Sequence, residues 1–312
     1  MNFPFQIPEG RELDAAGFGT NAVDYLIRVA EYPAFDTKTE LESYIQAAGG
    51  EVASTMTGLQ RLGLRTAYAG RFGGDYEGVI GRQSLADEGV DITFTETIAA
   101  AKTQIAFIFI DRTSGERTIL WQRDKLLGYE EEDAPVEVVA KARVLHITPH
   151  DTQACIKMAT VARAAGTIVS MDVDNVFEGI EELLPLVDVC LASAEFPGRL
   201  LGTVDKKEAL REMNRRYGCP VVGLTLGVEG SLVLCNDTFI ETPAFAIPGG
   251  CVDTTGAGDA FRTGFLYGIL TGLPVEESCR AANAVAALKC RGLGARDTLP
   301  TQIEVQTMLK NV

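Results

Sequence analysis

The chain has 312 residues, of which 46% are hydrophobic, and its formal net charge of −15 argues against a surface for nucleic acid or an anionic membrane, because both would repel it. The seven cysteines are scattered without CxxC spacing, which argues against a disulfide framework or a zinc site and favours a reducing cytoplasm. No uncharged apolar segment reaches the roughly 18 residues that a membrane span requires.

Short apolar strands alternate with helical segments along most of the chain. The predicted strands cover 13–19, 65–70, 144–148, 168–172, 189–192, 221–225, 231–234 and 239–242. The predicted helices cover 51–62, 76–88, 152–165, 180–185, 206–217, 256–270 and 275–289. This βαβ alternation predicts one α/β domain over 1–312, built on a mostly parallel sheet.

Three further segments have the alternating polar and apolar pattern of half-exposed strands. They cover 36–47, 104–111 and 117–122. Because they are more polar than the other strands, we expect them to form a small separate sheet.

The segment Asp253-Thr-Thr-Gly-Ala-Gly-Asp259 precedes an apolar helix. Small residues at a helix start leave the backbone N–H groups open to an anion, and the helix dipole favours negative charge there. Transfer of a phosphoryl group needs such an environment, and Asp259 could accept the proton of an attacking hydroxyl. From the residues alone, a glycine-rich helix cap with Asp259 as a capping side chain remains an alternative.

This segment resembles the C-terminal signature of the ribokinase-like carbohydrate kinases, the PfkB family, whose pattern is D-T-x-G-A-G-D. The family's N-terminal signature is similar to paired glycines at Gly49-Gly50, a Leu62-Gly63 stop and Gly70-Arg-Phe-Gly-Gly-Asp75-Tyr-Glu-Gly78. Two signatures in the right order are more specific than either alone. The resemblance implies a three-layer αβα sandwich with a central, mostly parallel sheet and a small β-sheet lid over about 36–47 and 98–124.

The resemblance also implies roles for residues at both signatures. Asp259 is the expected catalytic base, and the expected anion hole consists of Gly256, Ala257 and Gly258. The acceptor is expected to contact Asp24, Gly49 and Gly50, because a carboxylate can accept hydrogen bonds from two hydroxyls and glycines allow close approach to the backbone. For Asp24 alone, a helix cap is the alternative.

Expected contacts with ATP come from the same resemblance. They are Thr225, Gly227 and Gly230, in a strand and turn near the phosphates and ribose, and Asn283, near the adenine. An ordinary hairpin turn at Gly227 and a structural polar residue at Asn283 are the alternatives. Asp253 and Thr255, with main-chain oxygens at 290–295, resemble the potassium loop of some relatives.

The chain departs from the family pattern at two places. The family's Asn-x-x-Glu, tied to magnesium, is Ala192-Ser-Ala-Glu195 here, so Glu195 is expected to hold Mg²⁺ through water. Ribokinases continue the paired glycines with Lys-x-x-Asn, whereas this chain has Glu51-Val-Ala-Ser54, which disfavours ribose as the acceptor.

Two features outside the signatures bear on the acceptor. Arg123 follows the last predicted lid strand and could bind a phosphate or carboxylate, although such an arginine is more often a solvated charge. His146 and His150 end a predicted strand and could line the cleft, but two histidines without a third ligand are poor evidence for a metal.

The sequence therefore predicts an ATP-dependent kinase that phosphorylates a hydroxyl of a ketose, sugar acid or sugar phosphate. A nucleoside kinase is an alternative within the family, and a binding or regulatory protein without turnover is an alternative outside it. The expected cofactors are ATP and Mg²⁺, with K⁺ as a further candidate. We expect no nucleic-acid or membrane partner, and a homodimer that forms through the lid.

Overall fold

The computed structural model describes residues 1–112 and 116–310. Its strands are β1 (Leu13–Phe18), β2 (Ala22–Val29), β3 (Ser43–Gly49), β4 (Thr66–Gly73), β5 (Thr95–Ile98), β6 (Ile105–Asp111), β7 (Arg117–Gln122), β8 (Ala142–Ile147), β9 (Ile168–Val173), β10 (Val189–Ser193), β11 (Val221–Thr225), β12 (Ser231–Cys235) and β13 (Thr238–Thr242). Its α-helices are α1 (Glu51–Arg61), α2 (Tyr76–Asp87), α3 (Thr152–Ala165), α4 (Ile180–Leu183), α5 (Phe196–Leu201), α6 (Lys206–Tyr217), α7 (Ala257–Leu270), α8 (Val275–Lys289) and α9 (Gln302–Lys310).

The central sheet has nine strands in the order β13-β12-β11-β10-β9-β8-β1-β4-β5. Neighbouring strands are parallel except in the two pairs that include β12. Consecutive strand residues point to opposite faces, so Val144 packs into a core with α1, α7 and α8, while Leu145 packs into a core with α3 and α6. Helices therefore cover both faces of the sheet, and the predicted three-layer αβα sandwich is confirmed.

A second sheet, the lid, has four strands in the order β3-β2-β6-β7. The β2 strand pairs antiparallel with β3 and parallel with β6, and β6 pairs antiparallel with β7. One face of the lid buries Leu26, Ala106, Ile108 and Ile110, against which Leu293 packs. The predicted small β-sheet lid is thereby confirmed.

Two details of the lid differ from the sequence prediction. The β2 strand was not predicted, because the buried acid Asp24 interrupts its apolar pattern. The strand predicted over 36–47 begins only at Ser43. Its partner explains the late start, because pairing with β2 reaches Ser43 at Arg28, near the end of that strand.

Within the described residues, no helix combines the length and the apolar character that crossing a membrane requires. The thiols of all seven cysteines are free, and six of the seven are buried. Those six behave as small core residues, in keeping with their scattered sequence positions.

Candidate active site

The lid covers the edge at which the parallel strands of the central sheet end. The first strand, β1, leads through three residues into β2, and β3 leads directly through Gly50 into α1. Side chains at strand ends, on the lid and at the start of α7 therefore meet in one cleft. Such a crevice at the carboxyl ends of parallel strands is the usual place for a ligand in an open α/β sheet.

Asp259 lies in the first turn of α7, which begins after Gly256 in a left-handed conformation with φ +74°. A side chain at Gly256 would place its Cβ 2.8 Å from Cα of Ala295, so only glycine allows the loop this close to the 290–295 segment. The N–H of Ala257 donates to the Thr254 carbonyl at 3.1 Å. Within the described residues no hydrogen bond occupies the N–H groups of Gly258 and Asp259 in the first turn, so these two groups are candidates for binding an anion.

Asp24 lies on the lid strand β2, and its side chain is buried on the face of the lid that covers the cleft. A Cβ at Gly49 would lie 2.0 Å from its Oδ2, so the glycine makes room for the carboxylate. Gly50 has φ +90°, and a Cβ there would lie 2.4 Å from Cα of Asn21. The paired glycines thus allow β3 to pass close to β2 while the Asp24 carboxylate stays in the cleft.

Burial and neighbouring charge raise the pKa values of both acids. Burial, with the nearby carboxylates of Glu51 and Asp24, raises the pKa of Asp259 to about 7, and Arg262 and Arg117 oppose that rise. Burial raises the pKa of Asp24 to about 6. A carboxyl group with a pKa near 7 can accept a proton efficiently at neutral pH.

A buried ion pair not predicted from the sequence lies beside Asp259. Arg262 Nη2 contacts Asp172 Oδ1 at 2.6 Å and donates to the Leu191 carbonyl at 2.9 Å, which joins α7 to β9 and β10. Glu51 lies in the same cluster, where burial and the charge of Asp172 raise its pKa to about 8. Nothing in the local sequence of Asp172 or Arg262 indicates this pairing, because the two residues are brought together only by the fold.

Arg296 is a second site residue that sequence reasoning missed. Its guanidinium is buried, donates to the carbonyl oxygen of Gly49 and contacts the Ser54 and Ser84 hydroxyls at 3.3 Å each. Its charge opposes the rise in the pKa of Asp24. Arg296 therefore fixes the paired glycines to the 290–295 segment and favours the ionised form of the acid they accommodate.

Arg117 connects the lid to the loop before α7. It lies on β7, on the same face of the lid as Asp24, and its Nη1 donates to Thr254 Oγ1 at 2.6 Å. Its positive charge lowers the pKa of Asp259. A lid residue thus contacts the loop that carries the predicted anion hole.

Arg123 is held within the protein. Its two Nη atoms contact the two carboxylate oxygens of Asp151 at 2.9 and 2.7 Å, and Nη2 also donates to the Leu127 carbonyl at 3.2 Å. This bidentate pair uses the edge of the guanidinium whose two N–H groups would otherwise bind an oxyanion. Arg123 therefore holds the segment after the lid, and its contact with an acidic acceptor stays a prediction.

The two histidines have different surroundings. His146 is fully buried beside the Ser170 hydroxyl at 3.2 Å, and burial lowers its pKa to about 3. His150 lies at the cleft, with its ring centroid 6.4 Å from that of Trp121 on the lid and 5.0 Å from that of Phe177. His150 and these two aromatic rings are therefore candidates for contacting an acceptor, whereas His146 is enclosed in the core.

The residues predicted to contact ATP lie around the end of β11. Thr225 is the last residue of that strand, Gly227 and Gly230 follow with φ +58° and +98°, and a Cβ at Gly230 would lie 2.0 Å from the Thr242 carbonyl oxygen. Asn283 is buried, and its Nδ2 donates to Ser231 Oγ at 3.1 Å and to the Thr242 carbonyl at 3.2 Å. Its amide N–H groups thus join α8 to β12 and β13, which is the structural alternative to an adenine contact.

The predicted metal-binding residues lie on two sides of the cleft. Glu195 is exposed at the start of α5, just after β10, and its side chain makes no cap hydrogen bond to the described residues. Asp253 is fully buried, with its carboxylate accepting from the N–H groups of Thr255 and Gly294 at 2.8 Å each. Asp253 therefore joins the loop before α7 to the 290–295 segment.

Comparison with known proteins places this arrangement in a family. The model of the pfkB family carbohydrate kinases matches residues 18–302, which is most of the chain. A nucleoside kinase of Methanothermobacter thermautotrophicus is 29% identical over 94% of this chain and 93% of its own length. Fructokinase-1 of rice, Oryza sativa subsp. japonica, is 28% identical over 97% of this chain and 99% of its own length.

A solved structure supports the fold. Arabidopsis thaliana ribokinase, determined with ribose and ATP, superposes with a TM-score of 0.82 at 23% identity over 96% of this chain and 99% of its own. At that identity the likeness bears on the fold alone. The family match spans both signatures and all four lid strands, and it shows that the chain belongs to the pfkB family of carbohydrate kinases, phosphotransferases that act on sugar hydroxyls.

Proposed function

We propose that this chain transfers the γ-phosphoryl group of ATP to a hydroxyl of an uncharged sugar or nucleoside, with Asp259 as the base. The observation that carries the proposal is the meeting, under one lid, of two carboxyl groups with raised pKa values and the N-terminus of α7. Direct phosphoryl transfer needs a general base, a group that binds the acceptor and a site for the phosphate charge, and this cleft brings all three together.

The proposed reaction is a direct displacement. The acceptor oxygen forms a bond to the γ-phosphorus as the bond from that phosphorus to the β-γ bridging oxygen of ATP breaks, and ADP leaves. The hydroxyl proton passes to the Asp259 carboxylate. The N–H groups of Gly258 and Asp259 and the lid residue Arg117 stabilise the charge of the transferred group, while Asp24 orients the acceptor.

The charges around the cleft favour an uncharged acceptor. Its carboxyl groups include Asp24, Asp259 and Glu51, whereas Arg123, Arg262 and Arg296 are held respectively by the Asp151 carboxylate, the Asp172 carboxylate and the Gly49 carbonyl. An acceptor with its own carboxylate or phosphate would have to compete with these partners for an arginine, and it would meet the Asp24 carboxylate at close range. We therefore place neutral sugars ahead of sugar acids and sugar phosphates.

A nucleoside is the second candidate acceptor. Trp121 lies on the Asp24 face of the lid with 59% of its surface exposed, opposite His150 and Phe177. Aromatic side chains that open onto a cleft can stack against a planar base. The similarity to the Methanothermobacter nucleoside kinase agrees with this choice.

We propose Mg²⁺ as the cofactor, with Glu195 holding it through water. The carboxylate of Glu195 is exposed at the edge of the sheet and fits this role, since magnesium retains much of its water shell when it binds protein. When bound, the ion neutralises charge on the ATP phosphates. The residues from Thr225 to Gly230 would contact those phosphates, and Asn283 would support the strands beside them.

A coupled assay of ADP release with Mg-ATP tests the proposal. The panel contains ketoses, aldoses, nucleosides, aldonic acids and sugar phosphates, with ATP alone as the background. We expect ADP release only with neutral sugars or nucleosides. Preference for an acid or a phosphate would overturn the choice of acceptor, and ATP binding without turnover on any acceptor would favour the regulatory alternative.

We further propose a homodimer that forms through the lid. The lid face opposite Asp24 exposes Tyr44, Phe107 and Leu120 at 66%, 40% and 57% of their surface, which is an unusual concentration of apolar side chains in a chain of net charge −15. Light scattering is expected to give the dimer mass for the wild type and the monomer mass for Leu120→Glu. A wild-type monomer at micromolar concentration would contradict this proposal.

A further inference from the structure

Lys289, the last residue of α8, has none of its surface exposed to solvent. Lysine is almost never fully buried without a partner, because removing an ammonium group from water is costly. Burial accordingly lowers the pKa of Lys289, and the charge of Asp253 opposes that effect. The contacts of the ammonium group are therefore expected to compensate the cost of burying it.

The ammonium group lies against the loop that precedes α7. Its Nζ donates to the main-chain carbonyl of Asp253 at 2.9 Å. The Asp253 carboxylate holds the N–H groups of Thr255 and Gly294. A buried cation and a buried anion thus fix the start of the loop that ends in the anion hole.

This is the place where the family resemblance implies a potassium ion. The expected ligands were Asp253, Thr255 and main-chain oxygens of 290–295, the two segments that Lys289 and Asp253 join here. The ammonium group already supplies one positive charge opposite the Asp253 carboxylate, and it occupies the Asp253 carbonyl. A second cation beside it would be repelled.

One observation in this region would favour a bound cation. The Thr255 hydroxyl is buried, and the described residues offer it no hydrogen-bond partner. One unpartnered hydroxyl does not by itself indicate an alkali cation, which is bound through several oxygens at once, and here the Lys289 ammonium group already occupies the neighbouring Asp253 carbonyl. The residues present therefore do not fit a bound potassium ion.

We infer that the Lys289 ammonium group is a built-in cation that holds the anion-hole loop in place, so that this enzyme needs no monovalent metal ion. Lys289 is a positioning residue, since it acts through the Asp253 carbonyl and the loop up to Gly258. The inference rests on the proposed function for its catalytic readout. The inference also states that this loop needs a positive charge for its stability, and that statement can be tested without turnover.

The test compares the wild type with Lys289→Met in NaCl, KCl, CsCl and choline chloride at equal ionic strength. Methionine fills a similar volume without the charge. The wild-type kcat is expected to vary less than about twofold among the four salts. The variant is expected to lose about 10²-fold in choline, an effect of the size that misplacement within a site produces, and to recover at least tenfold in KCl. Lys141→Met, at an exposed lysine paired with Glu12, is the matched control.

Each other outcome decides against the inference. Wild-type activity that requires K⁺ would overturn it, as would a variant that is fully active in choline or one that no cation restores. Melting temperatures provide a readout without turnover: K⁺ is expected to stabilise Lys289→Met relative to choline and to leave the wild type unchanged.

If the wild type has no kinase activity, the proposed function fails while this thermal comparison still decides the charge requirement. If Lys289→Met does not fold, Lys289→Gln replaces it, and stabilisation of the wild type by K⁺ alone would overturn the inference.

Discussion

Replacing Asp259 by Asn is expected to lower kcat by about 10³-fold, within the range that a positioned general base contributes. Asparagine keeps the shape of the side chain and cannot accept the hydroxyl proton. ATP affinity is expected to persist, because the N–H groups at the start of α7 are unchanged. Asp237→Asn is a suitable control, since Asp237 is exposed in the β12–β13 turn with φ 58°, a conformation that asparagine tolerates.

The pH dependence of the wild type follows from the same residue. A base acts in its deprotonated form, and the pKa of Asp259 is raised to about 7. We therefore expect kcat/KM to rise about tenfold per pH unit below pH 7 and to level off above it. The residual kcat/KM of Asp259→Asn is expected to lack the rise between pH 6 and pH 7 and to fall only below pH 6, where Asp24 becomes protonated. A wild-type rate that stays level from about pH 5 to pH 8 would exclude Asp259 as the base.

Replacing Asp24 by Asn is expected to raise the KM for the acceptor by about 10- to 100-fold. A hydrogen bond to a charged group contributes about 1.5 to 3 kcal/mol, and about 1.4 kcal/mol corresponds to a tenfold change. The KM for ATP provides the internal control and is expected to change little, because Asp24 lies on the lid strand β2 and the proposed ATP contacts lie near β11. Equal changes in both KM values would show that Asp24 supports the cleft as a whole and does not contact the acceptor.

Local signals predicted most of the secondary structure, and the resemblance to the family predicted the roles of the site residues. The helices predicted at 152–165, 206–217 and 275–289 agree with α3, α6 and α8 to the residue, because each combines a helical apolar pattern with a clear stop or start. The turn at Gly256 and the position of Asp259 in the first turn of the helix were also predictable, since a glycine before a helix allows the left-handed conformation that other residues rarely adopt.

Contacts between residues far apart in the sequence could not be predicted from local patterns. Arg296 donates to Gly49, which is 247 residues away in the sequence. The Arg262–Asp172 ion pair and the contact between Lys289 and Asp253 likewise join separate elements, so no local pattern indicates them. The same reason explains β2, whose Asp24 is buried by contacts between distant segments and breaks the apolar pattern that a strand usually shows.

The raised pKa values also arise from the fold alone. Asp259, Asp172 and Glu51 come from α7, β9 and α1, and each is affected by burial and by the charge of another member of the cluster. The sequence identifies each residue as an acid with an ordinary pKa near 4. Only their packing into one cleft makes a carboxyl group there suitable as a base at neutral pH.

The central claim, phosphoryl transfer from ATP to an acceptor hydroxyl with Asp259 as the base, is tested most directly by ³¹P NMR of the products formed with Mg-ATP and neutral sugars or nucleosides. The account predicts that a new phosphomonoester signal and ADP appear together with the wild type, and that both are absent with Asp259→Asn over the same time. A phosphomonoester formed at the wild-type rate by Asp259→Asn, or ADP and inorganic phosphate without any phosphomonoester, would contradict it.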